Sequence, residues 1–147
     1  MAESFNLRRF QDAQDGRDGN VTIYERAIEE LNAGRKETHW MWFVFPQLAG
    51  LGESFMAKKF AIQSLDEARA YLAHPILGPR LYASVAALNA LEGRSAQDIF
   101  GFPDDLKLQS CLTLFAHAAQ DGAAFMAALD KYYDGDVDQQ SVSLLEG

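Results

Sequence analysis

The chain has 147 residues, of which 48% are hydrophobic and 12% aromatic, and its formal net charge is −8 at pH 7. This apolar content excludes a disordered chain, and the longest uninterrupted apolar run is far too short to span a bilayer. The acidic balance argues against nucleic acid or an anionic membrane as a partner, because both favour a basic surface. A chain of this length fits one domain, residues 1–147, that buries roughly 68 to 70% of its unfolded surface.

Cysteine and histidine usage bounds the chemistry further. The N-terminal residues lack the basic start and apolar centre of a signal peptide, and the single cysteine, Cys111, cannot form an internal disulfide. Both features predict a cytoplasmic protein in which Cys111 is a small core residue. The histidines at positions 39, 74 and 117 stand far apart, and there is no cysteine pair or calcium-binding loop. We therefore expect no metal and no cofactor.

Helix-start and helix-stop signals alternate along the first part of the chain. Ser4 can cap a short helix that ends in the polar loop at residues 15–20. Thr22 followed by Glu25 is typical of a capping box. Apolar residues then recur at positions 24, 27, 28 and 31, and Gly34 is typical of a helix end. The pattern predicts two helices before residue 35.

Six consecutive large apolar residues at positions 40–45 include both tryptophans and form the predicted centre of the core. Hydrophobic period alone does not distinguish a buried strand from a buried helix here. No other stretch alternates strongly enough to supply a partner strand, and a lone strand would leave its backbone groups unpaired. The sequence therefore predicts a short buried helix over residues 38–45, capped by Thr38 and ended by Pro46.

The remaining chain continues with helical patterns and short connections. Six further helices are predicted to start at Ser54, at Ser64 with a capping box to Glu67, at Gly78, at Ser95 with a capping box to Asp98, at Pro103 and at Gly122. Asp138 can cap a last turn. We detect no repeat and no linker, so the predicted fold class is all-α, a single compact domain of about seven to nine helices with short loops.

Three strings in this chain resemble the signature of the family catalogued as domain of unknown function 1810. They are Gly-Arg-Lys at 34–36, His-Trp-Met-Trp-Phe-Val-Phe-Pro-Gln at 39–47 and Gly-Leu-Gly-Glu-Ser at 50–54. The likeness covers nearly the whole chain and continues at residues 71–81, 99–101, 105–108, 113–115 and 135–138. The resemblance implies an all-helical fold and leaves the activity open, because the family has no established biochemical role.

A common label and a second, local likeness bear on the function. Proteins of this kind are often labelled calpastatin, a calpain inhibitor, but such inhibitors are repetitive and disordered before they bind, whereas this chain has a large aromatic core. The string Ala-Lys-Lys-Phe at residues 57–60 is similar to part of a family proposed to act on ADP-ribose derivatives.

His39 is the candidate catalytic residue. Between Trp40 and Trp42, it is predicted to be a buried general base, or alternatively a core histidine whose ring nitrogens bond backbone or carboxylate groups. If residues 38–45 are helical, His39 and Trp42 share a face, so a tryptophan plane would also bound a ligand pocket.

The polar residues around the aromatic run are the candidate ligand-binding residues. Gly50 and Gly52 lead into Ser54, with Lys58 one turn further on, and this arrangement resembles a small anion-binding nest. The alternative is a flexible turn with a serine cap. The full set of predicted binding residues is Arg35, Lys36, Trp40, Trp42, Gln47, Gly50, Gly52, Ser54 and Lys58.

A polar stripe on the helix after Pro103 offers a second wall for the same pocket. Ser110, Thr113 and His117 fall within about 60° of one another at 100° per residue, with Lys107 at the margin. Ordinary solvation of a surface face is the simpler explanation of the stripe.

Two functions of different class follow. In the first, the protein binds or acts on a small anionic or nucleotide-derived metabolite in a pocket beside residues 39–47. In the second, it is a non-catalytic protein-interaction domain whose aromatic run is purely structural. Residues 98–147, with nine acidic and two basic side chains, would then meet a protein partner.

Overall fold

The computed structural model describes residues 5–146, which form ten helices and one small hairpin. The helices are α1 (Arg8–Gln14), α2 (Ile23–Ala33), α3 (Met41–Val44), α4 (Phe55–Lys59), α5 (Leu65–Ala73), α6 (Leu77–Ala90), α7 (Ala96–Phe100), α8 (Asp104–Ala118), α9 (Ala123–Tyr133) and α10 (Gln139–Glu146). Strands β1 (Arg17–Asp18) and β2 (Val21–Thr22) pair antiparallel, the first within the predicted polar loop and the second directly after it. The all-α fold class is confirmed.

Most of the predicted helix ends are confirmed by their hydrogen bonds. Thr22 and Glu25 form the reciprocal capping box, and Gly34 ends α2 at a φ of 77°. Ser95 caps α7 in the same reciprocal way, with Asp98. Ser54 accepts a hydrogen bond from the backbone of α4. The predicted cap at Ser4 lies outside the described residues.

The capping box predicted for Ser64 and Glu67 is only half formed. Ser64 accepts a hydrogen bond from the Glu67 backbone at 3.1 Å, but the Glu67 carboxylate does not return to Ser64. It accepts instead from the Gln63 backbone at 2.7 Å and pairs with Arg9 at 3.0 Å. Because this ion pair is nearly buried, the carboxylate serves to hold α1 against α5.

The helix predicted over residues 38–45 is wrong in its first half. Only α3 is helical, and Trp40 occupies its N-cap position without a side-chain cap. Thr38 does not cap the helix, because its hydroxyl and backbone NH both donate to the carboxylate of Glu30. A partner from another helix therefore holds residues 37–40 out of the helical path.

The aromatic run lies at the centre of the core, as predicted. Trp40 is fully buried and the Phe45 side chain is 1% exposed. A line of rings with centroid separations of 5.2 to 5.9 Å runs through Phe43, Phe60, Phe10, Tyr71, Phe115 and Phe125.

Helix α8 packs against α5, α7, α9 and α10. Its first turns lie opposite the segment that follows the aromatic run. Among the described helices, none has the length and apolar character needed to cross a membrane.

Candidate functional site

A short backbone pairing positions the segment after the aromatic run. The backbone NH of Ile62 donates to Gln47 at 2.8 Å, and the backbone NH of Ala49 donates to Ile62 at 2.7 Å. This bridge fixes both ends of the loop at residues 47–62 around α4. The Gln47 side chain is half-buried and borders a concavity on each side of the loop.

The larger concavity has a volume of about 420 Å³. The segment at residues 47–57 forms one wall, the first two turns of α8 form the opposite wall, and the start of α10 closes one side. Its hydrogen-bonding side chains are Gln47, Glu53, Ser54, Lys107, Gln109, Ser110, Asp138 and Gln140. They supply hydroxyls, amides, carboxylates and one ammonium group.

The smaller concavity has a volume of about 170 Å³ and lies on the other side of the loop. It shares Gln47, Gly52, Glu53 and Ala57 with the larger one. Gly50 and Lys58 line only the smaller. We call the two concavities together the Gln47 cleft.

Two glycines shape the loop between the concavities. A Cβ on Gly52 would lie 2.5 Å from the Cβ of Ala57, so only glycine lets the loop close onto α4. Gly50 adopts a φ of 100°, which an L side chain rarely takes. The predicted Gly-x-Gly turn therefore needs glycine at 52 for close packing and at 50 for its backbone conformation. Helix α4 is a single turn, and the Ser54 hydroxyl already accepts from the backbone NH of Ala57.

Asp138 is held rigidly at the edge of the larger concavity. Its Oδ2 accepts hydrogen bonds from the Ser110 hydroxyl at 3.0 Å and from the backbone NH and hydroxyl of Ser141 at 3.0 and 2.6 Å. Its own backbone NH donates to Thr113 at 2.9 Å. No described residue donates to its Oδ1. The carboxylate thus caps α10 through one oxygen and keeps the other available as an acceptor.

The charged groups that line the cleft cancel. Glu53 and Asp138 supply two carboxylates, while Lys58 and Lys107 supply two ammonium groups. Lys107 also pairs with Asp104 at 3.5 Å, and this carboxylate offsets part of the positive potential of the ammonium group. The lining has no cationic excess, so the cleft does not select a strongly anionic molecule.

The structure brings five of the predicted binding residues together. Gln47, Gly50, Gly52, Ser54 and Lys58 all line the cleft. The predicted second wall is partly present, because Lys107 and Ser110 line the larger concavity opposite them. Thr113 and His117 do not. Thr113 is fully buried, and the His117 ring contacts its carbonyl at 2.8 Å.

The two tryptophans do not floor the cleft. Trp40 is fully buried, and its indole NH donates to Glu30 at 2.9 Å. Trp42 is half-buried, and Lys107 stands 5.7 Å from its ring centroid. Trp42 lines neither concavity.

The polar residues before the aromatic run also lie away from the cleft. The expectation that His39 is buried is wrong, since the residue is exposed, and Arg35 is exposed too. Lys36 is half-buried, bonds the Thr38 carbonyl at 2.7 Å and pairs with Asp104 at 3.1 Å. Roles for Arg35, Lys36 and His39 in binding or catalysis stay predictions.

Sequence reasoning missed Glu30, the residue that organises this region. Its buried carboxylate accepts four hydrogen bonds, from the backbones of Glu37 and Thr38, the Thr38 hydroxyl and the Trp40 indole. Burial raises the pKa of this carboxyl, but the four donors outweigh burial and hold the pKa below its ordinary value. The available signal was its position, about 60° from Ala27 on the buried face of α2.

Comparisons with known proteins found one matching family and one similar solved structure. The model of a family described as "Protein of unknown function (DUF1810)" matches residues 4–145. The crystal structure of the conserved hypothetical protein Rv1873 from Mycobacterium tuberculosis is similar to this chain, with a TM-score of 0.92 and 51% sequence identity over 97% of this chain and 98% of that chain. No curated protein matches. Neither match names an activity.

Proposed function

The chain belongs to the family described as Protein of unknown function (DUF1810), which confirms the resemblance seen in its sequence, and we propose that it binds a small hydroxyl-bearing metabolite in the Gln47 cleft. The proposed ligand class is a nucleoside, a sugar or a monophosphate of either. The observation that carries the proposal is the convergence of amide, hydroxyl and carboxylate groups from three separate segments on one concavity.

The size and lining of the larger concavity support this class. Its volume of about 420 Å³ falls within the range of small-molecule sites, roughly 300 to 1,000 Å³. Leu51, Ala57, Pro103 and Leu106 add apolar wall between the polar groups. Such a mixed lining suits a molecule with one flat or apolar part and several hydroxyls.

The charge of the lining limits how anionic the ligand can be. Lys58 and Lys107 can each neutralise one phosphate oxygen, but Glu53 borders both concavities. A second or third phosphate would face this carboxylate or Asp138, and like charges in a partly enclosed site repel. Hydroxyl groups, by contrast, donate to those carboxylates. The cleft therefore favours a monophosphate over a nucleoside triphosphate.

The rigid setting of Asp138 supports recognition of hydroxyls. Three hydrogen bonds from Ser110 and Ser141 fix its carboxylate before any ligand arrives. A fixed acceptor loses little conformational entropy on binding, so more of the interaction energy appears as affinity. We propose that Oδ1 of Asp138 accepts from a ligand hydroxyl and that the Gln47 amide bonds its other polar groups. The NH2 group of Gln109 donates to the Asp136 carbonyl at 2.9 Å, so Gln109 offers the ligand its amide oxygen.

A thermal-shift panel tests the proposal. The panel contains nucleosides, nucleoside monophosphates and sugar monophosphates, with ATP and inorganic phosphate as charged comparators. We expect at least one nucleoside, sugar or monophosphate to raise the melting temperature, because a ligand at about 100 times its Kd adds about 2.7 kcal/mol to the free energy of unfolding. A flat panel would contradict the proposal, and so would a response to ATP or inorganic phosphate alone.

Two matched variants locate the effect. Gln47→Ala removes a cleft amide, and Gln97→Ala removes an exposed amide on α7. We expect the first to lose the ligand-induced shift with its unliganded melting temperature nearly unchanged, and the second to keep the shift. Equal shifts in both variants would place the ligand elsewhere.

A further inference from the structure

The outward face of α6 carries no charged side chain. Its exposed residues are Pro79, Tyr82, Ala83, Ala86 and Ala90. Arg80 is the one charged residue of this helix, and it turns toward α1, where it donates to Gln14 at 3.1 Å and pairs with Asp15 at 2.9 Å. A helix that faces water normally presents charged residues there, so this face has the composition of a surface that a partner covers.

A groove of about 640 Å³ runs between this face and α2. Its floor is apolar and consists of Tyr24 and Ile28 from α2 with Ala83, Ala86 and Ala87 from α6. The alanines keep the α6 side of the groove low, so the backbone of another helix could approach closely. The groove shares no residue with the Gln47 cleft.

The groove has an acidic wall and no basic lining residue. Glu25 and Glu29 stand one turn apart along α2, and both line the groove. One oxygen of Glu25 is used in the capping box of α2, and Glu29 bonds Arg26, which lies outside the lining. In addition to the backbone hydrogen bond of the capping box, which lowers the pKa of Glu25 most, Arg17 and Arg80 lie near enough to lower it further. They offset part of the negative potential, as Arg26 does at Glu29. The two carboxylates are still the only charged groups among the residues that line this groove.

We propose that the α2–α6 groove binds an amphipathic helix of a protein partner, with an apolar stripe on the alanine floor and lysine or arginine residues beside Glu25 and Glu29. In helix-in-groove docking, an amphipathic helix lays its apolar face in an apolar groove, and charge complementarity helps to determine which helices bind. A second copy of this chain fits less well, because it would bring two more carboxylates to the interface and no basic groove residue to offset them.

Thiol protection tests the proposal directly. Cys111 is fully buried, so Ala86→Cys places an accessible thiol in the groove and Ala73→Cys places one at the exposed end of α5. The probe is a synthetic helix of about 18 residues with a leucine stripe flanked by lysines. We expect saturating probe to slow maleimide labelling of the groove thiol by about tenfold or more, and to leave the α5 thiol unchanged.

Two control peptides separate helix docking from general attraction to an acidic protein. One has the same residues in scrambled order, and the other has glutamate in place of every lysine. Neither should protect the groove thiol. Protection by either control, or no protection by the lysine peptide, would overturn the proposal.

Charge and steric variants complete the test. Ala86→Arg should abolish binding of the lysine peptide, whereas Ala73→Arg adds the same charge elsewhere and should not. Glu29→Lys should weaken the lysine peptide and strengthen the glutamate peptide. Circular dichroism checks that each variant remains folded.

Sedimentation of the wild-type chain tests self-association. A dimer that Ala86→Arg dissociates would assign the groove to a second copy of the chain and overturn the proposal.

Discussion

One proline separates residues 35–45 from residues 47–58. The two stretches differ in what their polar side chains contact. In the first stretch, Glu30 accepts four hydrogen bonds from donors of Glu37, Thr38 and Trp40. Lys36 pairs with Asp104. In the second, Gln47, Ser54 and Lys58 face a cleft. Under the proposed function, the groups that bond Glu30 are scaffold, and the groups of the second stretch that line the cleft are available to a ligand.

The comparison shows why polarity beside an aromatic core is a poor guide to a site by itself. Buried polar groups that already have partners contribute to stability, and only groups that face open space can contribute to binding. Substitutions in the first stretch should therefore change the free energy of unfolding. Substitutions in the second should change ligand affinity.

The largest expected effect is that of Glu30→Ala. It would leave the buried Trp40 indole NH and two part-buried backbone NH groups without their acceptor. We expect the free energy of unfolding in urea to fall by about 4 kcal/mol, because each unsatisfied buried donor costs about 1 to 3 kcal/mol. Glu29→Ala on the same helix is the control, since that side chain is exposed and should change stability by no more than about 0.5 kcal/mol. Equal losses of stability in the two variants would contradict the claim that Glu30 holds residues 37–40 in place.

A smaller effect should appear in acid. The folded pKa of Glu30 lies below its ordinary value of 4.5, so folding favours the ionised carboxylate. Its contribution is fully present above the ordinary pKa and is lost as the pH falls through the lower folded pKa. Urea unfolding between pH 7 and about pH 3 should therefore show a shallower loss of stability in Glu30→Gln than in the wild type.

Glu37→Gln is the matched control for the acid experiment. The Glu37 side chain is exposed, and only its backbone contacts Glu30. This variant should keep the wild-type dependence on pH. Identical pH profiles for wild type and Glu30→Gln would contradict the assignment of acid sensitivity to Glu30. Glu25 and Asp98 also have lowered pKa values, each from hydrogen bonds within its capping box, so part of the slope should persist in every variant.

Local signals in the sequence predicted the fold well. The pairs Thr22 with Glu25 and Ser95 with Asp98 interact within one turn, so their spacing alone determines the helix starts. The burial of residues 40–45 also followed from their composition, except that Trp42 is only half-buried. The failures were non-local. Thr38 has the residue type of a cap, but Glu30 from another helix competes for its hydroxyl and backbone NH.

In the candidate site, too, the sequence predicted the residues that are close together in the chain and missed most of those that only packing brings together. The loop half could be predicted, because the glycines at 50 and 52, the cap at Ser54 and Lys58 follow one another closely in the chain. The opposite wall depends on how α8 and the start of α10 pack, and only Lys107 and Ser110 were predicted from helical spacing. Asp138 was predicted as a helix cap, and it lines the cleft only because α10 packs beside α8.

The most direct test of the division between scaffold and site is backbone amide NMR of the ¹⁵N-labelled protein during titration with the nucleosides, sugars and monophosphates of the thermal-shift panel. We predict that shift changes concentrate at residues 47–58, 103–110 and 138–140, and that residues 35–40, including His39, remain unchanged. Changes centred on residues 35–40, with the loop and the start of α8 unaffected, would contradict the account and return the site to the histidine and arginine before the aromatic run.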